Sequence, residues 1–223
     1  IDYLVLKGVP LAVRLTGRID GRARRIRDND ILVQRCDVHR AVEVLQQLGY
    51  SPPGSLTLES QLDVNFELEM YRRSAEGTRY CAEVHWAPFS PALYPVSEDY
   101  LWSHTEVIRI RDWPVRVFDK PTTVVHLASH FVQHGGSFEW VLKDLALAWN
   151  TWGIEIDPSE LRAVAERLGL LHVLMFSLRA AKDRGLLTAP LPNVQSRPAT
   201  LLRILLPTSK LCTIRPQPDY VRS

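Results

Sequence analysis

Two aspartates separated by one residue lead directly into an apolar run, in the segment 28–33 (Asp-Asn-Asp-Ile-Leu-Val). The apolar part of this segment predicts a β-strand. Side chains alternate along a strand, so Asp28 and Asp30 are expected on the same face, within reach of one metal site. The alternative is a solvated turn, because Asp-x-Asp occurs by chance in many proteins.

A third carboxylate, Glu83, lies in the segment 81–86 (Cys-Ala-Glu-Val-His-Trp), which also reads as a strand. Its flanking residues are largely apolar, and a carboxylate in such surroundings is costly unless it is paired or bound to metal. His85 shares its face. Two Mg²⁺ ions about 4 Å apart need bridging carboxylates with a third one nearby. The hypothesis is that Asp28, Asp30 and Glu83 hold metal; the alternative for Glu83 is a cross-strand salt bridge.

A short turn with the sequence Lys7-Gly8 follows a first apolar strand at 3–6 and precedes a predicted helix at 9–15. Backbone N–H groups at the start of a helix can bind phosphate oxygens. Gly8 would permit close approach of the backbone, and Lys7 would add positive charge. Both residues are therefore candidate nucleotide-binding residues.

Arginines crowd the segment that follows this helix: Arg14, Arg18, Arg22, Arg24, Arg25 and Arg27. Such a cluster suits a polyanion, either a triphosphate or an RNA backbone. Arg24 and Arg25 are the candidates for gripping nucleotide phosphates. A solvated, arginine-rich loop is the alternative.

The first part of the chain, residues 1–118, reads as a mixture of helices and strands. A helix starts at Asp37 and stops at Gly49, because apolar residues recur there at helical spacing. Segments 61–71 and 79–86 are expected to form paired strands. This part is the predicted catalytic domain.

The second part, residues 119–223, is predicted to be a helical domain. Pro121 marks the start of the first helix, and Asp157-Pro158 opens the third. The other two helices are expected to begin near Phe138 and Leu170. A proline-rich tail after Leu186 has no assignment.

Composition limits the remaining possibilities. The chain of 223 residues is 46% apolar and 23% charged, with a net charge of +2, which is ordinary for a soluble globular protein. No apolar run approaches the roughly 18 residues of a membrane span, so no membrane contact is expected. Three cysteines, Cys36, Cys81 and Cys212, form neither a disulfide framework nor a zinc motif. Buried, reduced thiols in a cytoplasmic protein are the expectation.

Taken in order, these motifs resemble the "uncharacterised nucleotidyltransferase" family of the polymerase-β-like superfamily. The matching segments are Leu-Val-Leu-Lys-Gly at 4–8, Asp-Asn-Asp-Ile-Leu-Val at 28–33, Leu-Gly-Tyr at 48–50 and Glu-Val-His-Trp at 83–86. A histidine-rich helix at 126–134 and the segment Trp-Val-Leu-Lys-Asp-Leu-Ala at 140–146 also match. The resemblance covers residues 4–149.

The resemblance implies an α+β fold, a polymerase-β-like catalytic domain followed by a helical domain. It implies transfer of a nucleoside monophosphate from an NTP, such as ATP, to an acceptor, with Mg²⁺ or Mn²⁺ as cofactor. The acceptor is open: a small molecule, a protein or RNA. Asp28, Asp30 and Glu83 would be metal ligands or base, and Lys7-Gly8 would replace the Gly-Ser phosphate turn of the superfamily.

Arg27 and Asn29 depart from the pattern of the family, which usually has a small and an apolar residue there. They motivate a second interpretation, a nucleotide- or partner-binding protein that keeps the fold without catalysis.

Two further features lie in the helical part. His126, His130 and His134 recur every four residues and are expected to form a polar stripe, since one ion cannot reach residues about 12 Å apart. Lys143, followed by Asp144, is either half of a salt bridge or a contact to nucleotide phosphate.

Overall fold

The computed structural model describes residues 1–19, 28–54, 57–91, 94–136 and 138–194. The chain divides into two compact units, Ile1–Asp119 and Lys120–Ser223. The first mixes strands and helices and the described part of the second is helical, so the expected α+β class is confirmed. Arg24 and Arg25, and the tail beyond residue 194, lie outside the described residues. Among the residues described, no helix is both long and apolar enough to span a membrane.

A mixed sheet forms the centre of the first unit. Its strands, in chain order, are β1 (Tyr3–Val5), β2 (Asp28–Val33), β3 (Glu67–Arg73) and β4 (Arg79–His85). They lie side by side in the order β1-β2-β4-β3. Strands β2 and β4 run parallel, and the two outer pairings are antiparallel.

The helices of this unit are α1 (Val9–Thr16), α2 (Val38–Gln47), α3 (Leu58–Val64) and α4 (Glu98–Ser103). A separate antiparallel hairpin consists of β5 (Thr105–Ile110) and β6 (Trp113–Phe118). Arg14 connects α1 to this hairpin, because its guanidinium pairs with Glu106 and donates a hydrogen bond to the Phe118 carbonyl. This member of the arginine cluster therefore has a structural role.

One face of the sheet carries an apolar core cluster, which alternate side chains of the strands build. This cluster contains Val33, Leu68, Met70 and Val84 from the strands, Trp86 directly after β4, and Val38, Ala41 and Val42 from α2. Residues between these positions along β2, β3 and β4 point to the opposite face. Polar residues can therefore gather there without interrupting the core.

The turn between β1 and α1 approaches β2 closely. Gly8 has φ 74° and ψ −139°, a combination that is nearly restricted to glycine. A Cβ atom at this position would lie 3.1 Å from the Asp28 carbonyl oxygen and 3.0 Å from Asn29 Oδ1. Gly8 is thus needed both for the backbone conformation and for the contact with β2.

One predicted strand was partly wrong. The segment 61–71 was expected to be extended throughout, but its first residues belong to α3 and β3 starts only at Glu67. The side chain of Thr57 accepts a hydrogen bond from the Ser60 N–H and caps α3. This local cap and the partly buried Leu58 and Leu62, which pack on the core, favour a helix there.

The predicted helix after Asp37 is present, but the Asp37 side chain makes no capping hydrogen bond. A 3₁₀ turn, Arg35–Asp37, precedes it instead. Expectations for the cysteines held in part. Cys36 and Cys81 are both free, but Cys36 is exposed and Cys81 only half-buried.

The second unit contains the four expected helices: α5 (Lys120–Gln133), α6 (Glu139–Trp152), α7 (Pro158–Arg167) and α8 (Leu171–Asp183). Helix α5 packs against the other three, and its apolar residues Leu127 and Phe131 are fully buried. Asp157 caps α7 by accepting a hydrogen bond from the Ser159 N–H.

We expect Gly8→Ala to lower the free energy of unfolding by about 1–3 kcal/mol, because alanine must adopt a backbone conformation nearly restricted to glycine. The Gly17→Ala variant is the matched control. Gly17 also has a positive φ, 68°, but nothing lies within 4 Å of its added Cβ. Urea unfolding followed by circular dichroism measures both losses. Equal losses would contradict a contribution from the contact with β2.

Candidate active site

Carboxylates from three neighbouring strands lie on the face of the sheet opposite the core. In the strand register Asp30 is opposite Glu83, and Glu83 is opposite Glu69. Glu67 is opposite His85 on the same face. Since directly opposed side chains are about 5 Å apart, like charges meet across all three strands. Such an arrangement is unfavourable unless cations compensate it.

Lys7 provides one compensating charge. Its Nζ lies 2.8 Å from Asp30 Oδ1, and both side chains are almost completely buried, 6% and 0% exposed. Burial alone would raise the pKa of Asp30, but the Lys7 charge and the contacts with His85 hold that pKa well below its usual value. Burial likewise opposes the charge on Lys7, yet Asp30, Asp28 and Glu83 raise the pKa of the ammonium. The result is a buried ion pair.

His85 lies at the centre of the acidic face. Its Nε2 is 3.4 Å from both Asp30 Oδ1 and Glu83 Oε2, and its Nδ1 is 3.3 Å from Glu67 Oε2. Burial lowers the pKa of this imidazole, but the contacts with Asp30 and Glu83 outweigh burial and raise the pKa to about 9. His85 thus connects carboxylates of all three strands.

Glu83 carries the charge that is least well compensated. Burial raises its pKa most, His85 opposes this, and the charges of Asp30 and Asp28 raise the pKa further, to about 7. A carboxyl group with such a pKa is poised between its two protonation states at neutral pH, which suits proton transfer. An added cation would favour its ionised form.

The residues present fit a hard divalent cation. Asp30, Glu83 and His85 each offer a ligand atom, and these atoms lie within 4.8 Å of one another. The Oδ2 atom of Asp30 is buried and has no hydrogen-bond partner among the described residues. Carboxylate oxygens are the ligands that Mg²⁺ and Mn²⁺ prefer. The donor set is therefore compatible with the metal that the sequence predicts.

The other predicted site residues are not part of this group of ligand atoms. Asp28 begins β2 on the same face as Asp30, opposite Cys81, and is half-buried. Gly8 lies in the turn against β2. Lys143 belongs to the second unit, where it is exposed and forms an ion pair with Glu139 at 2.7 Å. The roles predicted for Arg24 and Arg25 fall outside the described residues and stay predictions.

The contribution of β3 to the acidic face was not predicted from the sequence. Glu67 contacts His85, and Glu69 accepts a hydrogen bond from the Tyr71 hydroxyl. The signal was the alternation of carboxylates with Leu68 and Met70, which is typical of a strand with one buried face. Assigning the preceding residues to the same strand obscured where this alternation starts.

Histidines of the second unit form an aromatic group. The rings of His130 and His134 are 4.4 Å apart, and that of His126 is 6.3 Å from His130. Trp140 lies beside both His130 and His134. Among the described residues these histidines are not part of a set with metal-site geometry.

A known sequence family matches most of the chain. The sequence model of the family described as "Uncharacterised nucleotidyltransferase" matches residues 1–184. The chain belongs to this family. The match includes both the acidic face and helices α5 to α8.

Among solved structures, the chain is similar to an antigenic nucleotidyltransferase-like protein from Paracoccidioides brasiliensis. The identity is 16%, the TM-score is 0.42, and the alignment covers 78% of this chain and 84% of the other. No curated protein matches the chain significantly.

The Lys7–Asp30 pair predicts a large loss when one partner alone is removed. We expect Asp30→Asn to lower the free energy of unfolding of the metal-free protein by about 3–5 kcal/mol, because the buried ammonium loses its closest counter-charge. The double variant Asp30→Asn/Lys7→Met should lose less than the sum of the single variants. Urea unfolding measures each value, and Asp63→Asn, an exposed change in α3, is the control. Additive losses would rule out the coupling.

Metal affinity should depend on pH through Glu83. A proton and a cation compete for the same carboxylate, and the pKa of about 7 means that the proton is increasingly lost above neutrality. We expect the affinity for Mn²⁺ to rise between about pH 6 and about pH 8, whereas the Glu83→Gln variant should lack this rise. Titration calorimetry measures both. A wild-type affinity that stays constant over this range would contradict the assignment of Glu83.

Proposed function

We propose that the unit Ile1–Asp119 transfers a nucleoside monophosphate from an NTP to an acceptor hydroxyl, with a divalent cation held by Asp28, Asp30 and Glu83. The observation that carries this proposal is the convergence of the Asp30 and Glu83 carboxylates, which have ligand atoms within 4.8 Å of each other on one face of the sheet, with Asp28 on that face at the start of β2. Membership of the nucleotidyltransferase family supports the class of reaction.

The nucleotide phosphates would lie against the turn between β1 and α1. The first turn of α1 contains no acidic residue; Pro10 has no N–H, and the N–H groups of Val9 and Leu11 have no acceptor within the helix. Gly8 adds no side chain, so a phosphate can approach the backbone closely. This turn also contacts the start of β2, where Asp28 lies. Phosphate contact and carboxylates are thereby brought together by one local structure.

In the proposed reaction the acceptor hydroxyl oxygen forms a bond to the α-phosphorus. The bond from this phosphorus to the oxygen that leads to the β-phosphorus breaks, and pyrophosphate leaves with the electron pair. Glu83, whose carboxylate a bound cation would keep ionised, would receive the hydroxyl proton. A bound divalent cation would supply charge stabilisation for the phosphoryl oxygens and would acidify the hydroxyl.

His85 and Lys7 would act through the carboxylates. His85 contacts Asp30, Glu83 and Glu67 and restricts how these side chains can turn. Such supporting contacts typically change metal affinity or activity about 10–100-fold. Arg24, Arg25 and Lys143 are proposed as additional contacts to the nucleotide on the basis of the sequence.

We expect Asp28→Asn and Asp30→Asn each to reduce nucleotidyl transfer by more than about 100-fold, since a ligand should matter more than the groups supporting it. The assay incubates the purified protein with each labelled NTP, Mg²⁺ or Mn²⁺ and a cell extract, and follows label into protein, RNA and small-molecule fractions. Asp63→Asn, a change of the same chemistry on the exposed face of α3, is the matched control and should retain transfer.

The same assay separates the alternatives. Label in one fraction, lost in the aspartate variants, identifies the class of acceptor. Transfer that persists in both Asp28→Asn and Asp30→Asn would contradict the proposal. Nucleotide binding without transfer of any labelled NTP would favour the second interpretation, a binding protein without catalysis.

A further inference from the structure

Lys7 occupies a position that has more in common with a metal ion than with a phosphate contact. Its ammonium is buried against the acidic face and lies 2.8 Å from Asp30 Oδ1. Asp30 is itself fully buried, so this oxygen faces protein groups and not solvent. His85 Nε2, at 3.4 Å, is a second neighbour of the same oxygen. One oxygen of Asp30 is therefore engaged by the protein.

The other oxygen of Asp30 is the one left for a metal ion. Oδ2 is buried and has neither a hydrogen-bond partner nor an ion-pair contact among the described residues, whereas the contacts of Lys7 and His85 are both to Oδ1. A carboxylate that bridges two ions normally gives one oxygen to each. With Oδ1 held by Lys7, Asp30 has its remaining oxygen for a single ion.

The backbone holds Lys7 in this position. Leu6, the preceding residue, donates its N–H to the Asp30 carbonyl at 2.9 Å. Gly8, the following residue, lies so close to β2 that a Cβ atom would meet the Asp28 carbonyl at 3.1 Å. Lys7 is thus fixed to β2 on both sides, and a cation arriving at the site would meet the ammonium already in place. Displacing the ammonium would move the charge of Lys7 out of its buried position and leave the buried charge of Asp30 without its partner.

We propose that the Lys7 ammonium permanently fills one of the two cation positions, so that the carboxylates take up a single divalent ion per protein–nucleotide complex. This inference rests on the proposed function, because it concerns the ion held for nucleotidyl transfer. It replaces the pair of Mg²⁺ ions considered for the three carboxylates in the sequence by a single ion, and it gives Lys7 a role on the carboxylates instead of on phosphate.

Native mass spectrometry can count the ions directly. The protein is mixed with Mn²⁺ and a triphosphate in which a methylene group replaces the oxygen between the α and β phosphorus atoms, so that transfer cannot occur. We expect one Mn²⁺ in the wild-type complex. In the Lys7→Met variant, where the ammonium is absent, we expect two. Lys120→Met, which removes an exposed lysine of the second unit, is the control and should keep one.

The outcomes separate this inference from the proposed function. Two ions in the wild-type complex, or one ion in both wild type and Lys7→Met, would overturn the inference and leave a metal-dependent transferase intact. No ion in the wild-type complex would overturn the inference together with the metal dependence of the proposed function. If Lys7→Met does not fold, the wild-type count decides, since two ions there cannot coexist with the proposal.

Discussion

The ion pair between Lys7 and Asp30 holds the acidic face together. Asp30 is fully buried on a strand that contributes to the core from its other face, so its charge needs a partner from within the protein. Lys7 reaches it because the turn after β1 lies against β2, and Gly8 permits that approach. The contact therefore depends on the position of the turn and of the start of β2, and removing either charge would leave the other buried without its partner.

Around this pair, the side chains of the sheet alternate between a face that packs into the core and a face that carries the carboxylates. Leu68, Met70 and Val84 pack into the core, while the residues between them contribute carboxylates to the opposite face. Opposed like charges on adjacent strands destabilise a sheet. Burial first, and then the charges of Asp30 and Asp28, raise the pKa of Glu83 to about 7. A chain selected for stability alone would not gather such groups. The strain is relieved by His85 and Lys7 within the protein, and a divalent cation would relieve it further.

Much of this arrangement could be predicted from the sequence because it depends on local periodicity. The strand after Asp28, the glycine at position 8 and the carboxylate at position 83 each follow from patterns a few residues long. The start of β3 could not be predicted, because the segment before Glu67 alternates ambiguously and its helix depends on packing of Leu58 and Leu62 on the core. The Lys7–Asp30 contact was also out of reach, since it requires the register between β1 and β2. The structural role of Arg14 could not be predicted either, because its partner Glu106 lies far along the chain in the hairpin.

The buried position of Lys7 also explains how a Lys-Gly pair can stand where the superfamily has a Gly-Ser turn. A serine is short and can contact only what lies beside the turn, whereas the lysine side chain extends across to β2 and ends at Asp30. The glycine that follows keeps the backbone of the turn close to Asp28. Under the proposed function, contact with phosphate would fall to the backbone N–H groups at the start of α1. The lysine then balances the charge of the acidic face, and the glycine would give a phosphate access to the start of the helix.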